Sequence, residues 1–268
     1  EAVRARRQAE RAEGVEDAAP DLQDLPADIA VLWRPPAAPR RGPRPGLTLE
    51  QIADAAIDLA DGEGLDAVSM ARLAESLGFT TMSLYRYVSS KDEVLMLMSD
   101  RAAGRPPAVG PDVGDWRARL ELLLGLMQPV LAAHPWMSRT TSVLFAVGPN
   151  RLAWMEAMVA ALDGLPLSER EKLEVTGALS SHQLEWARLV EANAARRRAV
   201  AEQDGGEQVD PNAVIGRLVT AQSHPAIARA VAAGVFDEPG DAPAEDELDL
   251  GTRLILDGLA SLLAGRTH

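Results

Sequence analysis

From Thr48 almost to the end of the chain, apolar residues recur at spacings of three and four, and no run of Val, Ile and aromatic residues alternates with period two. Such spacing gives each segment one apolar stripe along a helix and no pleated face, which confines the chain to an all-α fold. Helix punctuation agrees. Thr48 with Gln51 reads as a capping box ahead of Ile52, Ala56 and Leu59, and Gly62 and Gly64 read as its stop. Ser69 caps "SMARLAESLG", which ends at Gly78; a third helix is expected from about Thr81 to Val88, and Ser90 with Glu93 opens a fourth. The Gly- and Pro-rich "AAGRPPAVGPDVG", residues 102–114, then interrupts the pattern.

Further helices are expected from Asp115 to Ala133, with Pro129 kinking the last turn, and after His134 and "GPN" at 148–150. A long one, capped by Ser168 and Glu171, should run to about Val200. Two short ones follow near 214–222 and 225–233, and a last one spans about 247–263. The organisation expected is an arm over 1–46, a first helical unit over 47–104 and a larger helical unit over 105–268. Residues 31–46, "VLWRPPAAPRRGPRPG", hold five prolines and four arginines without an acid, so no regular element is expected there. The segment reads either as a stiff linker or as a basic arm whose Arg40, Arg41 and Arg44 reach a phosphate backbone or minor groove.

Composition bounds the rest. With 47% hydrophobic residues and no cysteine, the 268-residue chain suits a cored protein without disulfides or thiolate metal sites, and a reducing cytoplasm is the expected compartment. No apolar run is long enough to cross a bilayer, so no membrane partner is expected. A net charge of −13 opposes nonspecific coating of nucleic acid, so any DNA contact must be focal.

The focus is "GFTTMSLYRYVSSKDEVL", residues 78–95, which contains both tyrosines of the chain. Met70 to Tyr87 has helix-turn-helix spacing: apolar Leu73, small Ala74, apolar Leu77, Gly78 at the turn, and Leu73, Leu77, Phe79 and Leu84 expected to face inward. Thr80, Thr81, Ser83, Arg86 and Tyr87 are then distributed over the start and outer face of the second helix, where hydroxyls and a guanidinium suit base edges and phosphates. Lys91, with the amides of the following helix, suits a phosphate, and Arg72 the flanking backbone. Thr48 and Ser69, the hydroxyls at the starts of the first two helices, complete the candidate DNA-contacting set read from the residues.

The stretch "LTLEQIADAAIDLADGEGLDAVSMARLAESLGFTTMSLYRYVSSKDEVL" closely resembles the amino-terminal DNA-binding domain of TetR/AcrR family transcriptional regulators, most specifically in "SLYRYVSSKDEVL". The resemblance implies that Thr81, Met82, Ser83, Tyr85, Arg86 and Tyr87 populate the recognition helix, with Tyr85 and Lys91 at phosphates. Tyr87 stands where the family often has His, and Met82 where some members have Pro. A weaker resemblance over "DWRARLELLLGLMQPVLAAHPWM", "GPNRLAWMEAMVAALDGLPLS" and "DLGTRLILDGLASLLAG" points to a TetR-like effector-binding and dimerisation domain. It implies a homodimer on a palindromic double-stranded operator, a small-molecule effector, release of a repressor, no cofactor and no enzymatic activity.

Four of the five tryptophans and many methionines lie in the 105–268 unit, a composition that suits an adaptable apolar cavity as well as ordinary core. His134, Asn150, His182 and Gln183 are the candidate polar handles, and Trp136, Met137, Trp154, Met158 and Trp186 the candidate apolar lining. His182 and Glu185 share a helical face, but without further ligands they do not make a metal site. The rival readings are a helical ligand carrier or enzyme using that pocket, and a helical scaffold for another protein.

Overall fold

The computed structural model describes residues 25–34, 46–140, 147–202, 211–235 and 248–266. Among them every regular element is helical. Chain order gives α1 (Ala27–Ala30), α2 (Leu49–Glu63), α3 (Met70–Leu77), α4 (Thr81–Leu84), α5 (Lys91–Ala103), α6 (Trp116–Ala133), α7 (Pro149–Ala160), α8 (Glu169–Glu202), α9 (Pro211–Leu218), α10 (Pro225–Ala232) and α11 (Leu250–Arg266), with 3-10 turns at Val31–Trp33, Leu65–Ala67, Pro111–Val113 and Pro135–Arg139.

The caps follow the sequence. Thr48 Oγ1 accepts from the Gln51 amide at 3.2 Å while Gln51 Oε1 accepts from the Thr48 amide at 2.9 Å, and Ile52, Ala56 and Leu59 are buried. Gly78, at φ 74°, closes α3: the Phe79 amide donates to Ala74 O at 2.8 Å and the Gly78 amide to Glu75 O at 3.0 Å. This paired arrangement is a Schellman stop, and its left-handed residue turns the chain sharply into α4. α6 continues past Pro129 to Ala133.

Three expectations need correction. The third helix was placed over 81–88, but α4 is a single turn; Arg86 and Tyr87 donate to Ser83 O and Leu84 O, a tighter three-residue repeat. Phe79, expected inside with Leu73 and Leu84, is 37% exposed, because the turn at Gly78 carries it to the rim while the other two are fully buried. Residues 31–33, assigned to an irregular arm, form a helical turn whose Val31 and Leu32 are buried with Met96 of α5. Three consecutive apolar residues gain more from that contact than the prolines after them can prevent.

One buried cluster runs through both halves of the chain, from Ile52, Leu73, Leu84 and Met98 to Leu120, Leu124, Leu162, Leu179 and Leu256. α5 is central to it, packing on α2 on one side and on α7 on another. α11 lies antiparallel to α8: His182 Nε2 and Asp249 Oδ1 are 2.6 Å apart near its start, and Arg266 Nη2 meets Glu171 Oε1 at 2.5 Å near its end. Gly251 permits the first contact, since a Cβ there would stand 2.3 Å from His182 Cε1. Burial pushes the Asp249 carboxyl up, but hydrogen bonds from Thr252 and His182 outweigh it and hold the group below its ordinary value.

A carboxyl depressed in the folded state contributes stability that is complete above its unfolded pKa, about 3.9, and is lost as pH falls through the folded value. In urea unfolding, Asp249→Asn should therefore trail the native chain by a gap that is full at pH 6–7 and narrows below about pH 4. Gly251→Ala should lower stability by about 1–3 kcal/mol by displacing the His182 ring from Asp249.

Candidate functional site

α3 and α4 present an exposed polar rim. Thr80 Oγ1 caps α4 by accepting from the Ser83 amide at 3.2 Å and lies 2.9 Å from Ser83 Oγ, so part of the hydroxyl capacity of this helix is spent on holding it. Met82 is 77% exposed and Tyr85 47%, whereas Tyr87 is half-buried and packs against the core. The two tyrosines thus occupy different environments. Thr81 and Ser83 are half-buried, and Arg86 and Lys91 are exposed. Arg86 and Tyr87 also border a cleft of about 550 Å³ with Arg34, Thr48 and the end of α5.

The remaining members of the set are more committed. Ser69 Oγ accepts from the Arg72 amide at 3.3 Å, and Arg72 Nη2 pairs with Glu63 Oε1 at 2.5 Å. A phosphate would compete with that exposed pair for Arg72. Ser90 Oγ accepts from the Glu93 amide, but Glu93 returns its carboxylate to Ser89, not to Ser90 as a strict box would. Arg40, Arg41 and Arg44 lie outside the described residues.

A cavity of about 360 Å³ opens between α6, α7 and α8. Its wall is apolar over Leu123, Leu124, Met127, Leu131, Met137, Trp154, Met155, Met158, Leu173 and Leu184, and polar at Thr176, Ser180, Ser181, Gln183 and Arg151. Of the candidates read from sequence, Met137, Trp154, Met158 and Gln183 line it; His134, Trp136, Asn150, His182 and Trp186 do not. The reason is that most of these side chains are taken up by contacts between helices. His134 Nδ1 lies 2.9 Å from Asp61 Oδ1, and Trp136 Nε1 donates to the same oxygen at 2.6 Å, tying the turn after α6 to α2. His182 is held by Asp249, and the adjacent Glu185 pairs with Arg188. Among the described residues no three His, Asp or Glu side chains converge as a metal site would.

Asn150 belongs to a joint with α5. The buried Asp100 carboxylate accepts from the Asn150 and Arg151 amides at 3.1 and 3.0 Å, and Asn150 Nδ2 donates to Asp100 O at 3.1 Å. A carboxylate on one helix thereby caps the first turn of another. Burial pushes the Asp100 carboxyl above its ordinary range, while those amides act in the opposite direction. Trp154 Nε1 adds donations to Ala103 O and Gly104 O at 3.1 and 3.0 Å, so a cavity-lining residue is bonded to the end of α5. Arg151 was missed from sequence, because a charged residue in the first turn of a helix ordinarily reads as solvated.

The chain matches the profile of bacterial regulatory proteins of the tetR family over residues 52–96 and that of the tetracyclin repressor-like C-terminal domain over residues 108–263. It therefore belongs to the TetR family, and it is a transcriptional regulator, not an enzyme. It is 32% identical over 247 residues to the HTH-type transcriptional repressor DrrR1 of Streptomyces coeruleorubidus, covering 91% of this chain and 88% of that one. An HTH-type transcriptional regulator of Saccharopolyspora erythraea is 32% identical over 199 residues, 70% of this chain and 81% of that one. Among solved structures, the Streptomyces coelicolor TetR family protein ActR in complex with actinorhodin superposes with a TM-score of 0.65 at 25% identity, over 81% of this chain and 97% of that one.

Close approach at the joint can be tested by one methyl group. A Cβ on Gly148 would stand 2.1 Å from Asp100 Oδ1, so Gly148→Ala should drive the carboxylate off its cap and cost about 1–3 kcal/mol in urea unfolding. Gly125→Ala, in α6 with nothing within 4 Å of the added carbon, should be neutral or stabilising by about 0.5–1 kcal/mol.

Proposed function

We propose that the protein is a cytoplasmic, homodimeric repressor that leaves its operator when a small molecule enters the cavity between α6, α7 and α8. The observation that carries this reading is the joint at Asp100: the helix bordering the cavity is capped by a side chain of the helix that packs on the DNA-binding elements. A ligand that favours one position of α7 thereby favours one position of α5, and with it one placement of the α4 rim. Its coupling to DNA equals its differential affinity for the two arrangements. The DrrR1 relative is a repressor, and ActR was solved with actinorhodin bound; both support the reading.

The outer side of α11 supports the dimer. Thr252, Leu256, Leu259 and Leu263 enter the core, while Leu250, Leu254 and Leu262 are 63%, 61% and 45% exposed on the opposite stripe. Gly258 lies on that stripe with open space where a Cβ would be, which allows a partner helix to approach closely. Exposed Leu189, on the side of α8 that faces α11, extends the apolar surface. A second copy covering it would set two α4 rims on a twofold axis, as a palindromic operator with half-sites about one helical turn apart requires.

In gel-shift titrations on the DNA upstream of its own coding region, binding should be specific and salt-sensitive. Arg86→Ala should weaken it by about 1–3 kcal/mol and relax base preference, and Lys91→Ala should lower the slope of log affinity against log salt by about 1. Absence of specific binding, or affinity unchanged in both variants, would reject the reading. Leu254→Glu should yield monomer in sedimentation equilibrium and lose operator binding; an intact dimer would place the interface elsewhere.

A further inference from the structure

The chemistry of the cavity wall narrows what can occupy it. Its polar side chains are largely committed: Thr176 Oγ1 donates to Leu173 O at 3.1 Å, Gln183 Nε2 to Leu124 O at 2.9 Å, and Ser180 Oγ contacts Met158 Sδ at 3.7 Å. Arg151 differs. Its backbone amide serves the Asp100 cap, but its guanidinium makes no hydrogen bond or ion pair among the described residues. Among the described residues it is also the one ionisable side chain lining the cavity, and the Asp100 carboxylate, committed to the α7 amides, is the charge nearest to it.

A guanidinium offers five donors in a fixed fork and no acceptor. Half-buried in a largely apolar wall and without a partner, it is pushed below its ordinary value by burial, with the charge of Asp100 acting the other way. An anion able to accept two of those donors would remove this cost, and would do so in an apolar surrounding where charge-assisted bonds are strongest. The rest of the wall, from Leu124 through Trp154 to Met158, asks for an apolar body within about 360 Å³.

We infer that the effector is an acidic, otherwise apolar molecule whose carboxylate or equivalent anionic group is held by the Arg151 guanidinium, with its apolar body against the Trp154 and methionine side of the cavity. The inference rests on the reading of this cavity as the effector site. It also places the charge of the ligand at the residue whose own amide completes the Asp100 cap, so recognition and transmission share one turn of helix.

The test uses the full chain and a matched pair of fluorescent tricyclic probes, anthracene-9-carboxylate and its neutral isostere anthracene-9-carboxamide, titrated at pH 7 by fluorescence anisotropy. The native protein should bind the carboxylate at least about tenfold more tightly. Arg151→Gln should remove that preference, mainly by weakening the carboxylate, and Arg151→Lys should keep part of it; carboxamide binding that persists in both variants, with unchanged thermal unfolding, checks that the variant cavity is intact. Equal affinity of the native protein for both probes, or a preference that survives Arg151→Gln, overturns the assignment of charge and leaves the effector reading standing. Binding of neither probe to the native protein overturns both.

Discussion

A buried carboxylate has to be satisfied where it lies, and Asp100 is satisfied by the backbone of a different helix. The first turn of α7 begins at Gly148 and Pro149 with no side-chain cap of its own, so its free amides and the acid on α5 answer each other's need. Neither helix can shift alone without leaving polar groups unpaired in the interior. Much of the chain's architecture follows from that obligation: the cavity-lining α7 is fixed to α5, α5 to α2, and the single turn of α4 is held against α3. Trp154 reinforces the joint from inside the cavity by donating to the carbonyls at the end of α5.

Other contacts also join the halves. Asp61 receives both His134 and the buried Trp136, and Arg139 reaches Asp66 in an exposed pair, where pairing contributes little and ionic strength weakens it.

Residue patterns announced the elements far better than the site. Capping boxes, the Gly78 stop and the apolar stripes are local signals, and Thr48, Ser69 and Ser168 cap the helices they were read as capping because only nearby atoms are involved. The cavity is different, since bulk at Trp136 and His134 looks the same in sequence whether the side chain lines a void or bridges two helices. Both residues went to Asp61, a partner more than seventy positions away in the chain that no periodicity could indicate. Arg151 was overlooked for the converse reason: its place on the cavity wall depends on Asp100 having drawn the start of α7 inward. The length of α4 was overestimated because the i+3 tightening after Leu84 leaves the apolar spacing unchanged.

That short α4 has a further meaning. Four helical residues cannot repay the entropy of starting a helix, so the element has no existence apart from its surroundings. Its shape is lent by the Schellman stop behind it, by Leu84 beneath it and by Val88 where the chain enters α5. An element of this kind is an index of the packing below it: its position depends on residues that do not face outward.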